Sequence, residues 1–329
     1  MGELTRRTIL AGSALTAASA FQPLAVKPAG AAAAPAGKQA AGVYRYKIGN
    51  FEVTAISDGM LDWPLNDTFI RNAPLADVHK ALTDSFLPTD KLPIPVTSLA
   101  VNTGSKLILL DTGTAGQFAK MHPRSGLWSS NLAAAGIDPN SVDTVIVSHF
   151  HADHINGIRD KDGKLSFPNA EIMVPAPEWA YWMDDCKMST APEGIQGNFK
   201  NSRRVFGDIA KDVKRYDWEK EVVPGITAIA APGHTPGHTA YMIGSGKEAL
   251  LHLVDTSNNP FLFVRNPEWQ AAFDMDGNQA VETRKKLLDR AAADKMLVQG
   301  YHFPFPASGY ITKTAKGYDL TPVMWLPTL

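Results

Sequence analysis

Hydrophobic positions along this chain fall into many short runs rather than long helical stripes, and turn residues separate most of them. Residues 44–48 and 51–56 are β-prone runs that meet at Gly49-Asn50, a pair suited to the left-handed backbone of a tight hairpin. A second hairpin is expected from residues 97–102 and 106–110 around Gly104-Ser105, running on into Asp111-Thr112-Gly113. Residues 128–135 suit a short helix closed by Gly136. Further strands are expected at 142–147, 170–174, 226–231, 239–243, 249–254 and 295–299, with one or two more after Tyr310. Helical spacing appears near 75–85, from Pro177 with Trp179 and Trp182, and at 198–214, where Phe199, Val205, Phe206, Ile209 and Val213 share a face. The clearest helix is 279–293, with Val281, Leu287, Leu288 and Ala291 for a core. Two stretches, 60–96 and 258–278, read as long irregular excursions. Without an internal repeat or a dividing linker, residues 42–329 are expected to form one α/β domain of two sheets and outer helices.

Composition changes this picture little. The chain has 329 residues, 44% of them hydrophobic and 20% charged, as in ordinary globular proteins. The formal net charge is -1 and no long basic run occurs, so nothing supports binding to a nucleic-acid backbone. A single cysteine, Cys186, excludes an intramolecular disulfide framework and a cysteine-rich zinc site, and reads as a buried or partly buried thiol. At the N-terminus, Thr5-Arg6-Arg7-Thr8-Ile9-Leu10 precedes a weakly apolar stretch through Ala20 and then Ala/Pro/Gly-rich sequence. Residues 1–41 thus resemble a twin-arginine export signal and linker, which implies a periplasmic or secreted protein. Gly12, Ser13, Thr16 and Ser19 interrupt the apolar stretch, so stable membrane insertion is not expected.

The candidate chemistry is concentrated after the apolar run Val145-Ile146-Val147, in Ser148-His149-Phe150-His151-Ala152-Asp153-His154. In extended chain, residues two apart point the same way, so His149 and His151 share a side. Asp153 and His154 are adjacent and cannot both face where that pair faces, which points to two metal positions. Other apolar runs also end in candidate ligands: 226–231 leads to His234, 249–254 to Asp255, and 295–299 to His302. Sites just beyond strand ends are a general feature of α/β sheets. Imidazole and carboxylate together suit borderline ions, with zinc the default and manganese, cobalt or iron as alternatives. His252 lies out of phase with Asp255 in its strand and is expected to be a satisfied core histidine. His79 and His122 lack metal spacing and are expected at the surface or rim.

These motifs, in this order, resemble the metallo-β-lactamase superfamily: His149-x-His151-x-Asp153-His154, Gly233-His234-Thr235-Pro236-Gly237-His238, Asp255 and His302, with Asp111-Thr112-Gly113 upstream. More narrowly, Ile56-Ser57-Asp58-Gly59, residues 101–106 and residues 233–239 resemble the methyl parathion hydrolase group of exported organophosphate hydrolases. The resemblance implies a four-layer αβ/βα sandwich with two divalent ions, most simply Zn2+, at one edge of the sheets. It places His149, His151 and His234 on one ion, Asp153, His154 and His302 on the other, and Asp255 between them. Asp111 and His238 would orient ligands by hydrogen bonds. A bridging hydroxide would be the nucleophile, with Asp255 bridging the ions and Asp153 handling the proton.

Asp255 also separates this chain from true metallo-β-lactamases, which carry cysteine or serine there. Aromatic residues in and near the two excursions favour neutral, partly apolar esters, and Phe118, Trp179 and Phe303 are the expected substrate contacts. The segment Phe303-Pro304-Phe305-Pro306-Ala307 departs in part from the resembling group. The main expectation is hydrolysis of organophosphate triesters or aryl esters, with an acyl-homoserine-lactone type of lactonase as the alternative. A glutathione thioesterase, for which no helical extension after Asp255 is evident, and a non-catalytic exported metal-binding protein rank below these. A homodimer follows from the resemblance alone.

Overall fold

In a computed structural model, which describes residues 35–329, Gly49 turns the chain at φ 56 from β1 (Val43–Ile48) into β2 (Phe51–Pro64), as its sequence predicts. The antiparallel meander continues through β3 (Lys91–Asn102) and β4 (Leu107–Leu110), and β5 (Thr144–Ile146), β6 (Glu171–Pro175) and β7 (Lys214–Tyr216) then add in parallel. Those seven strands form one sheet in chain order. A second sheet of seven takes β8 (Glu221–Val223), β9 (Ile226–Ala230), β10 (Thr239–Ser245), β11 (Glu248–Val254), β12 (Leu297–Gly300), β13 (Ser308–Lys313) and β14 (Tyr318–Pro322). Only β11 and β12 pair in parallel within it, and the connection between them contains the longest helix.

Among the described residues the α-helices are α1 (Leu75–Thr83), α2 (Trp128–Ala134), α3 (Ala152–Ile155), α4 (Ala176–Trp182), α5 (Asp185–Thr190), α6 (Glu193–Phe206) and α7 (Gly277–Ala293). Asp276 caps α7 by accepting from the Gln279 backbone N–H. Strand alternation produces the layers. In β4, Ile108 and Leu110 enter the core between the sheets, while Leu109 faces the helices with Trp182, Phe199 and Phe206. In β11, Leu250 and Val254 point inward and Leu251 and Leu253 pack against Leu287 and Leu288 of α7. The result is the expected helix–sheet–sheet–helix sandwich, and residues 41–329 form one compact unit. Of the other unit, Met1–Ala40, only residues 35–40 are described, and they are exposed. The segment read as an export signal therefore lies outside the described residues. No helix among the described residues is long and apolar enough to cross a membrane.

Some expectations are corrected. The excursion at 60–96 begins and ends as strand, because β2 runs on to Pro64 and pairs with β3 from Lys91, past an irregularity between Ser57 and Gly59. Pro93 and Pro95 disguised that strand. They are tolerated because β4 pairs only with Leu99–Asn102, leaving β3 a partner on one side at the prolines. Helix α6 begins after Pro192, ahead of the expected 198, and ends at Phe206; a short 3-10 turn and β7 take up the rest. Cys186 lies on α5 and is exposed rather than buried. His122 is buried, not superficial, between the rings of Trp63 and Phe118.

Candidate metal centre

The site gathers where β4, β5, β9, β11 and β12 end. Beyond β5 the chain bends at Ser148 and runs without regular structure to His151, whose backbone is extended, and α3 begins at Ala152, so Asp153 and His154 leave on a helical turn. Val254 delivers Asp255 with φ 50, a left-handed conformation that a β-branched residue adopts only at a cost of about 1–3 kcal/mol. Asp111 adopts φ 60 just after β4, turning its carboxylate toward the histidine loop.

The seven expected ligands converge in two groups. Nδ1 of His151 lies 3.1 Å from His149 Nε2 and 3.0 Å from His234 Nε2. Asp153 Oδ2 lies 3.6 Å from His154 Nε2 and 3.5 Å from His302 Nε2. Asp255 stands between the groups. Its Oδ2 is 3.3 Å from His234 Nε2 and 3.0 Å from His302 Nε2, and its Oδ1 is 3.4 Å from His154 Nε2.

Four of the five imidazoles are turned by a partner on their far side, while His151 instead points its Nδ1 at its neighbours. His154 Nδ1 donates to Asp111 at 2.8 Å, His234 Nδ1 to Asp274 at 3.0 Å, and His302 Nδ1 to the Pro95 carbonyl at 2.6 Å. His149 Nδ1 meets the Ser148 hydroxyl at 3.0 Å, and that hydroxyl donates to Asp111 at 2.7 Å. With those nitrogens protonated, the Nε2 lone pairs face inward, the arrangement a cation needs. Two buried inward atoms, His154 Nε2 and Asp255 Oδ1, have no hydrogen-bond partner at all. Buried polar atoms rarely go unsatisfied, and a cation at each group satisfies these together with the crowded ring nitrogens. The residues present therefore fit two divalent ions of zinc type.

Electrostatics agrees. Burial, followed by the neighbouring imidazoles, holds His149 and His151 well below the ordinary histidine range. Burial opposes charge on His154 too, but Asp255, Asp153 and Asp111 raise its proton affinity well above that range. At His234 burial is outweighed by Asp255 and Asp274, which push the ring up to about 9. Burial should raise Asp255, yet His302 and His154 hold it well below the ordinary carboxylate range. An incoming cation therefore competes with protons for an already anionic pocket.

His238 is not among the converging groups. Burial lowers it to about 3, its Nδ1 donates to the Ala231 carbonyl, and its Nε2 accepts the Asp255 backbone N–H at 3.1 Å. It thus fixes the backbone of the central aspartate. His252 is a core histidine outside the donor groups, buried against Tyr241, but it is only half satisfied: its Nδ1 donates to the Gln299 carbonyl at 3.2 Å and its Nε2 has no hydrogen-bond partner. Sequence reasoning missed Asp274, Arg284 and Tyr301. Arg284 is buried and pairs with Asp274 at 3.3 Å, behind His234. Tyr301 stacks on His154 with ring centroids 3.9 Å apart and donates to the Asp153 carbonyl at 2.7 Å. Its adjacency to His302 was the one available signal; Asp274 lies in an excursion with no motif around it.

A cavity of about 430 Å³ opens over the cluster, with His151, Asp153, His234, Asp255 and His302 at its base. Leu61, Trp63, Ile94, Phe118, Phe273 and Met275 provide apolar wall, and Asn258 a polar one. Of the three expected aromatic contacts, Phe118 lines the cavity and two do not. Trp179 packs against Phe150 and Phe206 beneath the Arg215 guanidinium. Phe303 is fully buried in the core beside α7, on the opposite side from His302. Trp63 and Phe273 take their places on the wall, meeting edge to face at 5.0 Å.

Comparison with known proteins gives the family. The model of the metallo-beta-lactamase superfamily matches residues 92–302. An N-acyl homoserine lactonase from Bacillus sp. is 26% identical over 237 residues, covering 67% of this chain and 86% of its own. Among solved structures, AidC, a dizinc quorum-quenching lactonase in complex with a product, superposes with TM-score 0.81 at 30% identity, covering 87% of this chain and 99% of its own. AbOPH, a hydrolase in the beta lactamase superfamily, has TM-score 0.81 at 29% identity and covers 88% and 100%.

Proposed function

Because the chain belongs to the metallo-beta-lactamase superfamily and is a metal-dependent hydrolase, we propose that it opens the ring of N-acyl homoserine lactones at a two-zinc centre. The observation that carries this reading is the cavity, in which an apolar wall stands directly over the His/Asp cluster. Similarity to lactonases supports lactones over the phosphotriesters expected first from the sequence.

His149, His151 and His234 would hold one ion, Asp153, His154 and His302 the other, with Asp255 between them. When bound, the ions supply Lewis acidity toward the scissile carbonyl and a water whose pKa is near 7. Asp153 is the most open carboxylate of the cluster, its side chain 15% exposed against 3% for Asp255. It can therefore take the proton of the attacking water and return it to the ring oxygen as the C–O bond breaks, yielding the open N-acyl homoserine. The acyl chain would lie along Trp63, Phe118 and Phe273.

Neutral substrates are favoured over phosphate monoesters. Among the described residues lining the cavity, the one cation is Arg71, and its guanidinium is committed to the Asp274 and Ala272 carbonyls. A neutral triester fits the same chemistry and is the second reading. Export by the twin-arginine route, read from Arg6-Arg7, belongs to the same proposal, and loss of export in an Arg6→Lys, Arg7→Lys variant tests it. Ring opening of N-acyl homoserine lactones by zinc-loaded protein, assayed beside a paraoxon-type triester, tests the activity. Triester turnover without lactone turnover reverses the order of the two readings.

A further inference from the structure

One carboxylate outside the donor set reaches both loops that deliver His149, His151 and His234. Glu178, on α4, is fully buried. Its Oε1 accepts from the Phe150 backbone N–H at 2.9 Å and from the Trp182 indole N–H at 2.7 Å. Its Oε2 accepts from the Gly237 backbone N–H at 2.7 Å and from the Thr235 hydroxyl at 2.9 Å. Phe150 lies between His149 and His151, and Thr235 and Gly237 follow His234. Backbone contact reinforces the tie. A Cβ on Gly237 would stand 2.1 Å from the Glu178 nitrogen, so only glycine lets this loop press against α4. The carboxylate has no Lys or Arg partner among the described residues, and four donors fill its acceptor positions.

We propose that Glu178 is a positioning residue that sets the spacing of His149, His151 and His234, and thereby the affinity of that group for its cation. The inference rests on the two-zinc reading above. Asp111, by contrast, serves both groups: it turns His154 directly and reaches His149 through the Ser148 hydroxyl. A glutamine at 178 has the same shape but brings an NH2 where the carboxylate had only lone pairs. Turned one way, that NH2 faces the Phe150 and Trp182 donors; turned the other, it faces the Gly237 N–H. Either way one loop loses its anchor.

The test is competition for Zn2+ between a chromophoric chelator and the metal-stripped full chain, which yields two stepwise dissociation constants. We expect Glu178→Gln to raise one constant about 10- to 100-fold, the usual consequence of losing an outer partner of a metal site, and to leave the other unchanged. Asp111→Asn, which touches both groups, should raise both constants and so contrasts with the selective effect expected of Glu178→Gln. Thr235→Val, which removes one donor and keeps the carboxylate, should move the same constant as Glu178→Gln by a smaller factor. Melting of the metal-free proteins is followed alongside. Two unchanged constants in Glu178→Gln overturn the inference, as do two constants raised equally with a lowered metal-free melting temperature. If Glu178→Gln does not fold, Thr235→Val decides, a selective shift supporting the inference and no shift overturning it. Wild-type protein that takes up fewer than two zinc ions overturns the two-zinc reading itself, and this inference with it.

Discussion

Asp111 Oδ2 lies 2.8 Å from Nδ1 of His154, and the same carboxylate accepts the Ser148 backbone N–H at 2.8 Å. A residue at the end of β4 thus turns a ring that lies 43 positions later in the chain. We expect Asp111→Asn to lower zinc affinity about 10- to 100-fold while leaving the fold intact. Asparagine tolerates the left-handed backbone of this position, so the variant tests the charge and not the turn. Zinc content after dialysis against a graded chelator measures the effect.

Behind His234, Asp274 depends on Arg284. The Arg284 guanidinium is buried and also donates to the Thr256, Pro267 and Trp269 carbonyls. Arg284→Met strands a buried carboxylate and three carbonyls, at a cost of about 3–5 kcal/mol. Arg284→Lys should recover little, because an ammonium cannot reproduce the planar fork. Denaturant unfolding of the zinc-loaded variants reads both values.

Removing the metal should weaken the whole molecule. Without cations, the cluster keeps buried carboxylates and inward lone pairs that nothing else satisfies. An ion present at a thousandfold its dissociation constant stabilises by about 4 kcal/mol, or roughly 10 °C in melting temperature for a domain of this size. Differential scanning calorimetry before and after chelation, with zinc restored as the reversal, checks this.

The cavity wall should set chain-length preference. Phe118→Ala removes apolar surface next to Phe273 and Trp63 without touching the His/Asp cluster. We expect kcat/KM to fall about tenfold for long acyl chains, some 1.4 kcal/mol of lost contact, and less for short ones. A series of lactones of increasing chain length shows whether the loss scales.

Legibility followed sequence locality. The cluster was readable because four apolar runs each lead to a ligand, and His149, His151, Asp153 and His154 crowd into six positions after one of them. The layered core was readable from alternation such as that of Leu250 and Leu251. The long hairpin of β2 and β3 was not, because Pro93 and Pro95 mimic a loop and only the missing neighbour on one side of β3 makes them tolerable. Asp274, Arg284 and Glu178 were also hidden. Their partners are distant in the chain, and one buried carboxylate looks like any other acidic residue until the fold closes over it. Phe303 shows the converse: adjacency to a ligand placed it near the site in sequence, while its side chain faces the core on the other side.

The central claim is that the two groups joined at Asp255 form one lactone-opening centre. Its most direct test is the hydrolysis of an N-acyl homoserine lactone by zinc-loaded wild-type protein and by Asp255→Ala, with zinc stoichiometry measured on the same samples. We predict two zinc ions and ring opening in the wild type, and in the variant a loss of bound zinc with at least about a thousandfold drop in kcat/KM, roughly 4 kcal/mol. Two bound zinc ions in the wild type with no lactone turnover, or full turnover by Asp255→Ala, would contradict it.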